Sequence, residues 1–237
     1  HIHFVSVEEY KKRVIQLGEH PQNVFNVGAL NVDSMKKIRV LKRSEVEKRI
    51  KVSLQKRTIL VTFHPITLEK ENTENYFKNI IQALDYFKDC NVIFTKTNAD
   101  TEGRIINSLI DEYKVNNSNV SSFVSMGQEL YVSTLKYVDL VLGNSSSGII
   151  ETPTFKVPTV NVGDREKGRI MAKNIINCDY SKDKIKKAIL KGLSKNFKTK
   201  IKNMKSPYDN GETAKKICKI IQKYKIPDNT KKEFYNL

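Results

Sequence analysis

The chain has 237 residues, 39% of them hydrophobic and 29% charged, with ten Gly and six Pro. That is the composition of one large or two small folded domains with a substantial core, and it excludes collagen-like, low-complexity and disordered chains. Lys and Arg outnumber Asp and Glu by 42 to 26, a net charge of +16, and no apolar run reaches the ~18 residues of a transmembrane helix.

The first residues, His1-Ile-His-Phe-Val5, read as a strand entered in mid-fold, and the chain does not begin with Met. It therefore reads as a fragment whose N-terminal part is absent. Glu8 to Leu17 has helical periodicity, with Tyr10, Val14 and Leu17 on one face. Val24 to Val27 is a second strand, closed by Gly28. Asn31 to Arg39 and the charge-rich Leu41 to Lys56 are predicted helices.

From Thr58 the pattern becomes regular. Ile59-Leu60-Val61-Thr62-Phe63 is a buried strand by its β-branched and apolar content, stopped by His64-Pro65. Asn72 to Phe87 is a strong amphipathic helix. Strands at Val92–Thr95, Val120–Val124, Leu140–Leu142, Pro158–Val162 and Asn174–Cys178 alternate with helices at Glu102–Tyr113, Gln128–Tyr137 and a short Ser147–Thr152. Two or three further helices run to the C-terminus, one opening near Gly211-Glu212-Thr213. Alternation of this kind gives an α/β fold with a parallel sheet covered on both faces. Residues 1–28 read as the tail of a first domain, 29–56 as a connection, 57–205 as a complete second domain, and 206–237 as a helix and tail crossing back toward the first.

In open α/β sheets ligands bind beyond the carboxyl ends of the strands, and three such places carry chemistry. His64 follows the first strand of the second domain and is fixed by Pro65; an imidazole there donates to a phosphate or moves a proton. The second is Gly143-Asn144-Ser145-Ser146-Ser147-Gly148 running into a helix that carries Glu151. Small residues admit backbone N–H groups to an anion, hydroxyls add donors, and the carboxylate is placed to accept from ribose. This loop is neither a G-x-x-x-x-G-K-[ST] loop nor a G-x-S-x-G elbow. The third is Gly163-Asp164-Arg165-Glu166-Lys167-Gly168-Arg169, where Arg165 and Arg169 suit capture of phosphate. Asn98, after another strand end, offers a polar contact, and Tyr131 an aromatic face for a base. No metal-ligand spacing is present, so no metal is expected. Three cysteines without C-x-x-C argue against a disulfide framework and for a reducing, cytoplasmic setting. The Lys excess is spread over helix-like segments such as 183–202 and 215–232 without a nucleic-acid-binding motif. No nucleic acid and no membrane partner are therefore expected.

These residues resemble a known family. Gly143-Asn-Ser-Ser-Ser-Gly-Ile-Ile-Glu151-Thr-Pro153 and Val157-Pro-Thr-Val-Asn-Val-Gly-Asp-Arg-Glu-Lys-Gly-Arg169 are similar to the UDP-N-acetylglucosamine 2-epimerases. The likeness extends to His3 through Gly18, Val24 through Gly28, Thr62-Phe-His-Pro65 and Ser206-Pro-Tyr-Asp-Asn-Gly211, and so spans essentially the whole chain. The resemblance implies a GT-B arrangement, two Rossmann-like domains facing across a cleft, with this chain as the C-terminal, UDP-binding half and the last strands of the other. It implies conversion of UDP-N-acetylglucosamine to N-acetylmannosamine and UDP through a glycal, for sialic acid or surface polysaccharide synthesis. No redox cofactor or metal is needed for that chemistry. The catalytic carboxylates are expected in the N-terminal half, so the fragment alone is expected to be inactive, and the full-length protein to be a homodimer. By this resemblance His64 is the catalytic histidine near the diphosphate, Ser145 and Ser146 bind the diphosphate, Glu151 holds the ribose and Tyr131 packs on uracil. Either Arg165 or Arg169 is the basic residue after the following strand. Ser146-Ser147 in place of a Gly-Gly pair favours the hydrolysing branch. A non-hydrolysing epimerase and a GT-B glycosyltransferase share this nucleotide-binding half; a basic nucleic-acid-binding module is a distant alternative.

Overall fold

The computed structural model describes residues 1–66, 72–97, 101–225 and 231–237. The chain divides into two units, His1–Ile38 with Lys205–Leu237, and Arg39–Met204. The first begins with β1 (His3–Val5), α1 (Glu8–Gln16), β2 (Val24–Asn26) and α2 (Leu30–Lys37). β1 and β2 pair in parallel, His3 opposite Val24.

The second unit runs α3 (Arg43–Ile50), β3 (Thr58–Thr62), α4 (Thr73–Leu84), β4 (Asn91–Thr95), α5 (Thr101–Val115), β5 (Val120–Phe123), α6 (Gly127–Leu135) and β6 (Leu140–Gly143). It continues through α7 (Ser146–Ile150), α8 (Thr152–Phe155), β7 (Thr159–Val162), β8 (Ile175–Cys178), α9 (Lys182–Leu193) and α10 (Lys195–Ile201). The segment 29–56 is thus shared between the units, α2 in the first and α3 in the second. The predicted helix over Leu41–Lys56 is shorter in the structure, because Lys51 turns into the left-handed region at φ 54° and ends α3. The predicted Ser147–Thr152 helix is two helices, α7 and α8, with Glu151 the C-cap of one and the N-cap of the other and Pro153 in the first turn of α8.

Among the described residues the second unit holds one six-stranded sheet in the order β5-β4-β3-β6-β7-β8, every pair parallel. Ile59, Leu60 and Val61 are all fully buried, as expected of strands with helices on both faces, where a continuous apolar run replaces alternation. Around them Phe63, Phe77, Ile80, Phe94, Ile106, Leu140, Leu142, Val160 and Val162 form one core. The chain leaves β3 toward β4 on one side and, after β5, returns to β6 on the other. The point where strand order reverses therefore lies between β3 and β6, where a crevice opens at the carboxyl ends. Among the described residues no helix is long and apolar enough to cross a membrane.

The last helix, α11 (Thr213–Lys223), belongs to the first unit. Its N-cap Glu212 makes no side-chain cap; instead the Asp33 carboxylate accepts from the Ala214 N–H at 3.4 Å and from Lys37 Nζ at 3.0 Å. The Lys37 hydrogen bond, helped by the Ala214 N–H, holds the Asp33 carboxyl below the ordinary carboxylate range. A depressed carboxyl contributes stability that is present above its unfolded value, about pH 4, and is lost as pH falls through the folded value. Asp33→Asn keeps the shape and removes the charge. In the wild type, amide exchange at Ala214 should accelerate as pH falls below about 4, beyond the intrinsic rate, and the variant should lose that dependence. The same acid-side profile in both proteins would show that Asp33 does not cap α11.

Candidate functional site

β3 and β6 lie side by side with Thr62 opposite Gly143, so the loops that leave them emerge together. Gly143 has φ +140°, and a Cβ there would lie 1.8 Å from the Thr62 carbonyl oxygen. Only glycine allows the end of β6 to approach β3 so closely. Asn144 follows, fully buried, and joins the two strand ends. Its N–H donates to the Thr62 carbonyl at 3.2 Å. Its side-chain Oδ1 accepts from the His64 N–H at 2.7 Å, and its Nδ2 donates to the His64 carbonyl at 2.8 Å. The amide thus clamps the backbone of His64 as a paired strand would. The His64 ring, half-buried, meets Thr97 Oγ1 through Nδ1 at 3.3 Å.

Ser145 is the N-cap of α7, its hydroxyl accepting from the Ser147 N–H at 3.4 Å, and Ser146 opens the helix. Ser147 Oγ donates to Glu151 Oε2 at 2.7 Å. The serine proton being used there, the Tyr131 hydroxyl donates to Ser147 Oγ, 2.5 Å away. Tyr131, Ser147 and Glu151 form one relay from α6 to the end of α7. Burial pushes the Tyr131 phenol up to about 12, so it remains a neutral donor. A pocket of about 370 Å³ opens beside this relay, lined by Thr62, Thr95, Ser125, Met126, Gly127, Gln128, Tyr131, Ser145 and Ser147.

Arg165 reaches the same loop from the end of β7. Its Nη1 donates to the Asn144 carbonyl at 3.0 Å and to Glu166 Oε1 at 2.8 Å. Arg169 pairs with the other oxygen of Glu166 at 2.5 Å. Of the two arginines, Arg165 is the one in contact with the Asn144 loop, and Arg169 shares its carboxylate anchor. Glu166 is 2% exposed, and its burial lifts the carboxyl above the ordinary range against the pull of both guanidinium groups.

The structure thus brings His64, Ser145, Ser146 and Arg165 to one edge of the sheet, with Tyr131 and Glu151 beside them. His64 and Arg165 meet there through Asn144, while Tyr131 and Ser145 line the pocket. Asn98 lies outside the described residues. The structure adds roles that the sequence does not announce: Asn144 as a clamp, Ser147 as a relay, Thr97 as the partner of the His64 ring and Glu166 as the anchor of two arginines. Glu166 alone had a usable signal, a carboxylate between two arginines at i−1 and i+3. Among the described residues no cluster of three or more His, Cys, Asp or Glu side chains converges on a point that could hold a metal ion.

Comparison with known proteins finds relatives in both sequence and fold. The sequence model of the family described as UDP-N-acetylglucosamine 2-epimerase matches residues 1–222. A GDP/UDP-N,N'-diacetylbacillosamine 2-epimerase (hydrolyzing) of Campylobacter jejuni is 42% identical over 84% of this chain and 51% of its own length. The polysialic acid biosynthesis protein P7 of Escherichia coli is 34% identical over the whole of this chain and 60% of its own. The chain spans about half to three fifths of the length of the curated relatives it matches. Among solved structures, the S. aureus MnaA–UDP complex is similar over 93% of this chain and 60% of its own, with a TM-score of 0.76 at 17% identity. That likeness concerns the fold, a Rossmann-like α/β arrangement with a parallel sheet, of the GT-B-like kind.

Proposed function

Since the chain belongs to the UDP-N-acetylglucosamine 2-epimerase family, we propose that it forms the nucleotide-binding part of a hydrolysing 2-epimerase. That enzyme acts on a UDP-linked 2-acetamido sugar. The observation that carries this reading is the convergence of His64, the Ser145 cap and Arg165 at the reversal point of the sheet, tied together by Asn144. Three donors of different kinds stand beyond the carboxyl ends of neighbouring strands, which suits a diphosphate.

The reaction begins with removal of the C2 proton of the sugar and departure of UDP from C1, leaving a glycal. Water then adds across the double bond, oxygen to C1 and a proton to the opposite face of C2, giving N-acetylmannosamine from UDP-N-acetylglucosamine. The residues here serve the first half-reaction. His64, the amides and hydroxyls of the serine loop and Arg165 stabilise the charge that develops on the departing diphosphate, preorganised so that nothing must reorient as the bond breaks. Glu151, oriented by Ser147, accepts from the ribose, and Tyr131 forms the wall against which the base lies. Supply of a sialic acid or surface polysaccharide pathway is part of this reading, as is work in the cytoplasm as a homodimer.

The test is UDP binding by calorimetry. UDP should bind the wild-type protein, and His64→Ala combined with Ser145→Ala should weaken it by about 100-fold, the sum of two charge-assisted contacts. A well-folded protein with no affinity for UDP would overturn the reading. A second donor is favoured by the Campylobacter relative and by one of Legionella pneumophila, 32% identical, whose names both specify N,N'-diacetylbacillosamine, linked to GDP or UDP in the first and to UDP in the second. Incubating the intact protein with each of the two UDP sugars and identifying the released monosaccharide separates the readings.

A further inference from the structure

His64 is fixed at its backbone by Asn144, which leaves the rotation of its ring to be set by something else. Thr97, two residues beyond the end of β4, is 8% exposed and places Oγ1 3.3 Å from His64 Nδ1. Thr97 is itself clamped. Asn107, on α5, accepts from the Thr97 N–H through Oδ1 at 3.1 Å and donates from Nδ2 to the Thr97 carbonyl at 3.1 Å. The site therefore carries two amide clamps of the same design, Asn144 on the backbone of His64 and Asn107 on the backbone of the residue that meets its ring.

We propose that Thr97, held by Asn107, is the positioning residue for His64, fixing both the rotation of the imidazole and its tautomer. The inference rests on the reading of His64 as a group facing a diphosphate. A neutral imidazole donates from one nitrogen only, and the hydrogen bond at the other decides which. A threonine hydroxyl donating into Nδ1 leaves the ring proton on Nε2, the nitrogen that would then donate to an anionic oxygen. Without that hydroxyl Nδ1 loses the partner that selects the tautomer, and the share of the Nε2–H form falls.

The test compares Thr97→Val, which removes the hydroxyl at nearly constant shape, with Thr97→Ser, which retains it. Two readouts are taken on the intact protein: UDP affinity by calorimetry, and the ring-nitrogen resonances of 15N-labelled His64. Thr97→Val should raise the Kd for UDP by about five- to tenfold, the net worth of one hydrogen bond, and Thr97→Ser should restore it to within about twofold of wild type. In a His64→Ala background the Thr97→Val change should have no further effect. The wild-type ring should show the Nε2–H tautomer, and the Val variant a mixture; Asn107→Ala should give the same mixture if the Val variant does not fold. An unchanged tautomer in these variants, or equal losses from Thr97→Val with and without His64, would overturn the inference. Failure of wild type to bind UDP would instead overturn the diphosphate reading, while the tautomer measurement would still decide the role of Thr97.

Discussion

Gly143→Ala is expected to be the most damaging single-methyl change in the chain, lowering stability by about 3–5 kcal/mol and abolishing measurable UDP binding. At φ +140° the backbone is in a region that L side chains avoid, and the added Cβ would lie 1.8 Å from the Thr62 carbonyl oxygen. Neither atom belongs to a flexible side chain that can swing away. The ends of β3 and β6 must separate, which breaks the hydrogen bond from the Asn144 N–H to Thr62 and carries the serine loop away from His64. Denaturant unfolding of wild type and variant measures the first effect and calorimetry the second. A loss below about 1 kcal/mol would mean that the strand ends relax without strain and that their close approach is not what assembles the site.

Asn144→Ala should be nearly as severe, for a different reason. It leaves the backbone intact and removes both partners of the His64 peptide groups, and Asn144 is fully buried. Two polar groups losing their partners cost about 2–4 kcal/mol together, and His64 loses its fixed position opposite the serine loop. We expect UDP affinity to fall at least about 30-fold, more than one lost hydrogen bond would produce. Asn144→Asp discriminates further. It keeps an acceptor for the His64 N–H but sets a carboxylate oxygen against the His64 carbonyl, so binding should be poor at neutral pH. It should improve as acid protonates the new carboxyl, whose burial favours the neutral form. Absence of any such recovery, with the fold intact, would argue that the donor half of the clamp is unimportant.

What the sequence made readable was the placement of chemistry along the chain. Ile59-Leu60-Val61 ending at His64-Pro65, and Leu140-Val-Leu ending at Gly143-Asn144, announce buried strands and the loops after them because composition and punctuation are local properties. What it hid was everything decided by pairing between distant elements. Asn144 and His64 are 80 positions apart and Thr97 and His64 are 33 apart, and no periodicity connects them. The choice between Arg165 and Arg169 stayed open for the same reason, since the two differ only in which of them reaches a carbonyl 21 positions upstream. The helix ends were misjudged at Lys51 and Glu151, where a left-handed lysine and a helix-to-helix junction replace the usual glycine stop.

The uniform direction of the six strands has an evolutionary corollary. The loops that follow the strands, those holding His64, Ser145 and Arg165 among them, emerge at one rim, whereas residues 51–57, 85–90 and 116–119 lie at the opposite one. Under the function proposed above, lineages exchange one sugar preference for another by rewriting short rim segments while inheriting the scaffold beneath almost unchanged. Divergence between such enzymes should be concentrated on one side of the sheet for specificity and scattered neutrally on the other.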